Sequence, residues 1–144
     1  MKSAVIYYSA TGNTKKIAEV IAEVLGTKAK SIEEEVNLQD CDLVCVGTGV
    51  RFTRMESPME DFLNNLEQLP GKKGAVFGTY GYVPRGFLEK MAALLEGKGI
   101  EVIGEWSCQG QFLKGLNRGR PNEKDLKDAR EFAANIKETI NSSS

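Results

Sequence analysis

The sequence predicts an α/β fold: one three-layer sandwich, with a five-stranded parallel sheet between helices on both faces. Three observations carry this. Short apolar runs alternate with amphipathic helical periods, five such strand–helix alternations fill the chain, and no linker, repeat or low-complexity segment interrupts them. Strict alternation implies right-handed crossovers between strands that run in the same direction. The length, 144 residues, is one domain's worth of material, so a single domain over 1–144 is expected.

The elements follow in order. Residues 4–8 form a first apolar run, of the kind that suits a strand covered on both faces. Ile17, Ile21, Val24 and Leu25 then share one helical face, and the helix stops at Gly26, a C-cap residue type. A weaker strand over 28–32 is polar enough to be an edge, and 43–47 is a third strand. Ser57-Pro58-Met59-Glu60 reads as a capping box with proline at the first helical position. Met59, Phe62, Leu63 and Leu66 form the buried stripe behind it, with Pro70-Gly71 as the stop. Residues 75–78 make the fourth strand. Phe87, Leu88, Met91, Leu94 and Leu95 mark a helix closed by Gly97 or Gly99, and 101–106 the fifth strand. Asn122 and Asp125 can cap a last helix, in which Leu126, Ala129, Phe132, Ala133, Ile136 and Ile140 face inward; residues 141–144 are expected to fray.

Composition narrows the function. Hydrophobic residues make up 41%, charged residues 27%, and the net charge is −1, a balance that argues against the basic face of a nucleic-acid binder. No apolar run approaches the ~20 residues of a membrane helix, so the expected location is the cytoplasm. Cys41, Cys45 and Cys108 lack zinc-type spacing and suit free thiols in a reducing compartment. Histidine is absent, which removes the commonest general base and metal ligand. No catalytic side chain and no metal site is assigned. Chemistry without such groups is often left to a cofactor.

Ligands of an open parallel sheet sit beyond the carboxyl ends of its strands. After the first strand comes Ser9-Ala10-Thr11-Gly12-Asn13-Thr14, running directly into a helix. Three hydroxyls, a carboxamide and the unpartnered N–H groups of a helix start make an anion site. A plain turn and N-cap is the simpler reading, but the run is unusually dense in donors, and it is not a Walker loop.

This loop resembles the phosphate loop of the flavodoxin family, Ser/Thr-x-Thr-Gly-Asn-Thr, at every defined position. The resemblance covers nearly the whole chain, is closest to the short-chain form, and implies the strand order 2-1-3-4-5. It further implies bound flavin mononucleotide (FMN), whose phosphate would be held by Ser9, Ala10, Thr11, Gly12, Asn13 and Thr14 without a lysine or arginine. The segment Thr48, Gly49, Val50, Arg51, Phe52, Thr53 would cover one face of the isoalloxazine ring, with a peptide bonded to flavin N5. Thr79, Tyr80, Gly81 and Tyr82 would meet the pyrimidine edge, with Tyr82 stacked on the ring. Two features differ from the family's acidic carriers: Arg51, Arg54 and Arg85 lie in or beside these loops, with Lys114, Arg118 and Arg120 expected near, and the usual glycine beside N5 is not evident.

The implied function is electron transfer by bound FMN between redox protein partners, a reductase or ferredoxin-linked donor and an acceptor, with no nucleic acid or membrane involved. A monomer is expected, a dimer being the alternative. The enzymatic alternative is an FMN-dependent reductase or oxidase acting on a quinone or porphyrinogen, motivated by the basic, glycine-rich residues 109–121. A different class is a phosphatase, because Cys45 and Arg51 have Cys-x5-Arg spacing. Cys45 lies inside an apolar run, where a thiolate is disfavoured, and reads as core. A phosphoacceptor receiver domain is excluded by Ser9 and Thr48 at the positions its acidic residues would need.

Overall fold

The computed structural model of the chain describes residues 1–51, 54–81, 86–111 and 119–143. Its elements are β1 (Ser3–Tyr8), α1 (Asn13–Leu25), β2 (Ala29–Ser31), β3 (Leu43–Arg51), β4 (Arg54–Met55), α2 (Ser57–Asn64), β5 (Lys73–Tyr80), α3 (Phe87–Glu96), β6 (Glu101–Gln109) and α4 (Glu123–Ser143). The sheet runs β2-β1-β3-β5-β6, parallel throughout, with β4 antiparallel to β3. Apart from β4, this is the expected five-strand order.

Alternation along the strands sorts the core into two layers. Ile6, Val44, Val46 and Val76 pack with Met59, Leu63, Phe87, Met91 and Leu95 of α2 and α3. Their neighbours Val5, Leu43, Cys45, Ala75 and Phe77 pack with Ile17, Ile21, Ala129, Ala133 and Ile136 of α1 and α4. Both sheet faces are covered, which is why the strands are continuous apolar runs. Burial of each large apolar side chain in these layers contributes roughly 1.5–3 kcal/mol. Phe77 lies so close over Gly47 that a Cβ there would come within 2.0 Å of its ring.

Helix ends show how local chemistry sets the boundaries. Gly26 closes α1 in the left-handed region at φ 74°, its N–H returning to the carbonyls of Ala22 and Glu23. Asn122 and Asp125 cap α4 reciprocally: the Asp125 N–H donates to Asn122 Oδ1 at 3.0 Å, and the Asn122 N–H to Asp125 Oδ2 at 2.8 Å.

Four expectations are corrected. The carboxyl ends of the central strands run further than 47 and 78, so Thr48–Arg51 belongs to β3 and not to a loop; β3 turns back on β4 through Val50↔Met55 and Arg51↔Arg54. Among the described residues the sheet therefore has six strands. The Ser57 capping box does not form. Glu56 is the N-cap, no side chain bonds the cap, and Pro58 takes the second helical position. This helix ends at Asn64, not at Pro70, because the Asn65 side chain donates to the Asp61 carbonyl at 2.9 Å and competes with helical continuation. At the other end of the chain, α4 continues to Ser143 where fraying was expected.

Candidate functional site

The carboxyl ends of β1, β3, β5 and β6 surround a cavity of about 450 Å³. That volume is within the 300–1,000 Å³ range of small-molecule sites. From the first loop Ala10, Thr11, Asn13 and Thr14 line it; from β3, Gly49 and Val50; from the end of β5, Thr79, Tyr80 and Gly81. Three segments distant in sequence thus converge on one space.

The first loop is shaped for an anion. Gly12 is the N-cap of α1 at φ 90°, a conformation that L side chains rarely adopt, and it supplies no side chain to cap the helix. No acidic residue occupies the first turn. The helix start is left with N–H groups and the positive end of the dipole, uncompensated by a carboxylate in its own first turn. Ser9 steadies the turn instead, its Oγ accepting the Gly12 N–H at 2.9 Å.

Two of the predicted donors are turned toward protein. Thr14 and Thr79, both buried, share a hydrogen bond of 2.8 Å between their hydroxyls, which ties α1 to β5 beneath the cavity. The Asn13 carboxamide donates to the Gln111 carbonyl at 2.8 Å, 98 residues away. Thr48 is fully buried, and its hydroxyl donates to the Gly49 carbonyl at 3.0 Å. Arg51 ends β3 opposite Arg54, which is exposed. Phe52, Thr53 and Tyr82 lie outside the described residues, as do Arg85, Lys114 and Arg118.

Four lining residues were not among the predicted ones: Tyr8, Glu56, Gly110 and Gln111. Tyr8 ends β1, and Gly110-Gln111 follows β6, so the rule that ligands meet the carboxyl ends of strands points to them. Glu56 carries no such signal. It reaches the cavity because β3 and β4 form a hairpin, after which its N–H donates to the Gly49 carbonyl at 3.3 Å.

Arg120 is engaged away from the cavity. Arg120 holds Asp125 through two bonds, at 2.6 and 2.8 Å. Burial opposes ionisation of Asp125, but bonds from Arg120 and the Asn122 N–H outweigh it and hold the carboxyl below the usual range. Burial pushes the thiols of Cys45 and Cys108 up to about 12. Cys45 and Arg51 stand in the same extended strand, six residues or about 20 Å apart, so they cannot cradle one phosphate. Among the described residues no group of three His, Cys, Asp or Glu side chains suits a metal, and no helix is long and apolar enough to cross a membrane.

An open parallel sheet with an uncapped helix start facing a cavity at its strand ends is a doubly wound α/β architecture, in which ligands meet the carboxyl ends of the strands. Comparison with known proteins makes this specific. The Flavodoxin domain family matches residues 4–119. An uncharacterised protein of Methanocaldococcus jannaschii is 32% identical over 94% of this chain and 98% of its own length. The flavodoxin-like domain-containing protein BilS of Clostridioides difficile is 33% identical over 81% of this chain and 70% of its own. A solved flavodoxin from the domain Archaea superposes with a TM-score of 0.84 at 25% identity, covering 98% of this chain and 99% of that one.

The chain belongs to the flavodoxin family. It is a flavodoxin-like, FMN-binding electron-transfer protein that works with redox partners. The residues present fit that cofactor: the cavity has the right scale, and the helix start beside it offers donors to a phosphate with no carboxylate in its first turn.

Proposed function

We propose that FMN binds noncovalently in the cavity at the strand ends, and that the protein carries electrons between two protein partners as a cytoplasmic monomer. The loop from Ser9 to Thr14 would hold the phosphate, with Thr11 and the first N–H groups of α1 as donors. The segment from Thr48 to Thr53 and the residues Thr79, Tyr80, Gly81 and Tyr82 would hold the ring. Bound flavin supplies one- and two-electron chemistry; the protein's residues hold it, orient it and shield one side from water.

The observation that carries this reading is the start of α1, which opens on the cavity without a capping side chain or an acidic first turn. A helix start of this kind favours a dianion. The carrier reading is favoured over the enzymatic one by the match of residues 4–119 to the Flavodoxin domain family and by the flavodoxins among the relatives.

The test compares FMN with riboflavin, which lacks the phosphate. Thr11→Ala should weaken FMN about tenfold, the loss of one hydrogen bond to a charged group, and leave riboflavin nearly unchanged. Equal losses for both flavins would place the phosphate elsewhere. Turnover of a quinone by the holoprotein with a nicotinamide donor would replace the carrier reading with an enzymatic one.

A further inference from the structure

Residues 109–125 contribute a set of bonds that the site as described does not explain. The Asn13 carboxamide reaches across to the Gln111 carbonyl at 2.8 Å and rests against bare backbone at Gly110, where a Cβ would come 2.7 Å from Asn13 Nδ2. Gln111 is held in turn, its N–H donating to the Arg120 carbonyl at 2.9 Å. Arg120 is anchored by every nitrogen of its guanidinium: Nε and Nη2 on Asp125, Nη1 on Gln109 Oε1 at 2.9 Å. Asp125 has a side-chain exposure of 7% and also accepts the Asn122 N–H at the start of α4. A continuous chain of bonds thus runs from the cap of α4 to the first residue of α1.

We propose that the Arg120–Asp125 pair is a positioning latch for the phosphate loop: it fixes the Gln111 carbonyl that holds Asn13, and so sets the preference for a phosphorylated flavin over an unphosphorylated one. The proposal rests on the FMN reading above. Neither Arg120 nor Asp125 lines the cavity. The pair neutralises itself, and the guanidinium fork is fully engaged on Asp125 and Gln109. What the pair delivers to the cavity is geometry. With Gln111 in place, Asn13 is held at the first position of α1, beside Thr11 and the N–H groups aimed at the anion. Arginine suits this task because its rigid planar fork grips a carboxylate at two points and still reaches a third acceptor, a geometry that the point charge of a lysine does not reproduce.

The rival role is a direct one, in which Arg120 supplies positive charge to the phosphate. Substitutions that keep the charge but lose the fork separate the two. Apo-protein is titrated with FMN and with riboflavin, following the quenching of flavin fluorescence, for Arg120→Met, Arg120→Lys, Asn13→Ala and the double variant Asn13→Ala/Arg120→Met. The latch predicts that Arg120→Met and Arg120→Lys lose FMN affinity alike, by about tenfold, one well-placed hydrogen bond's worth. Riboflavin should change by less than about threefold, and the double variant should lose no more than Asn13→Ala alone, because both act through one bond.

A near wild-type Arg120→Lys beside a weakened Arg120→Met would overturn the latch in favour of direct charge. Equal losses for both flavins would reduce the pair to a purely structural role, and additive losses in the double variant would break the proposed route through Gln111. Thr11→Ala is the control for the underlying reading. If Thr11→Ala weakens FMN selectively and the Arg120 variants do not, the latch alone fails; if Thr11→Ala is unselective, the phosphate assignment itself fails.

Discussion

The floor of the site offers a direct measurement of what holds it together. Thr14 on α1 and Thr79 on β5 are 1% and 4% exposed, and their hydroxyls meet at 2.8 Å. Thr14→Val preserves shape and removes one hydroxyl, leaving that of Thr79 buried without this partner. A stranded buried hydroxyl costs about 1–3 kcal/mol, whereas removing both partners is close to neutral. Thr14→Val and Thr79→Val should therefore each destabilise the apo-protein by about 1–3 kcal/mol, and the double variant should cost less than either single one. For a chain of this size each kcal/mol is worth about 2–4 °C in Tm. Urea unfolding without flavin is the appropriate assay, because a bound ligand adds its own stabilisation and would mask the difference. Additive single costs, with a double variant as unstable as their sum, would refute the argument and show that each hydroxyl has another partner.

Three more outcomes follow from the same geometry. Cys45→Ser should retain flavin while losing stability, since it places a hydroxyl in an apolar layer, and wild-type protein should not turn over aryl phosphates; activity abolished by this substitution would reverse the reading of Cys45. Asp125 has a carboxyl held below its unfolded value, so its contribution to stability is complete above the unfolded carboxylate pKa, roughly 4, and is lost as pH falls through the lower folded value. Acid unfolding of Asp125→Asn should lack that loss, and an unchanged acid profile would contradict it. Glu56 lines the cavity, and reducing the flavin adds negative charge there. Glu56→Gln should raise the second reduction potential by tens of millivolts, given about 59 mV per tenfold change for one electron, while Arg54→Gln, at an exposed position, should move it less and in the opposite sense.

The fold was legible because its strands are buried on both faces: alternation of 43–47 or 75–78 with helical stripes leaves little choice of architecture. The ends of elements were not equally legible. Thr48–Arg51 reads as loop because it follows Gly47, the glycine that bounds the apolar run 43–47, yet β5 pairs with it as far as Gly49 and β4 pairs with the rest. Pairing across the sheet decided what local composition did not. The site was legible as loops but less so as atoms. Asn13 and Thr14 look like ligands in a donor-rich run, and only the positions of Gln111, 98 residues away, and Thr79, 65 residues away, reveal that both also hold protein together. Arg120 reads as a free cation near the cofactor until Asp125, five residues on, is seen to be buried against it.

That last pairing bears on how a carrier can hold a phosphate and still release electrons. Among the described residues that line the cavity there is no lysine or arginine, and one carboxylate, Glu56. A cation placed against the phosphate would tighten binding, but its field would extend to the ring. There it would favour the reduced, more negative flavin and oppose handing the electron on. Backbone N–H groups and hydroxyls act over a shorter range, because dipolar fields decay faster than that of a full charge. They can therefore bind the phosphate at one end of the cavity while leaving the ring at the other end little affected. Arg120 fits the same logic: its charge is closed on Asp125, so it orders the loop through geometry while the carboxylate beside it offsets its field.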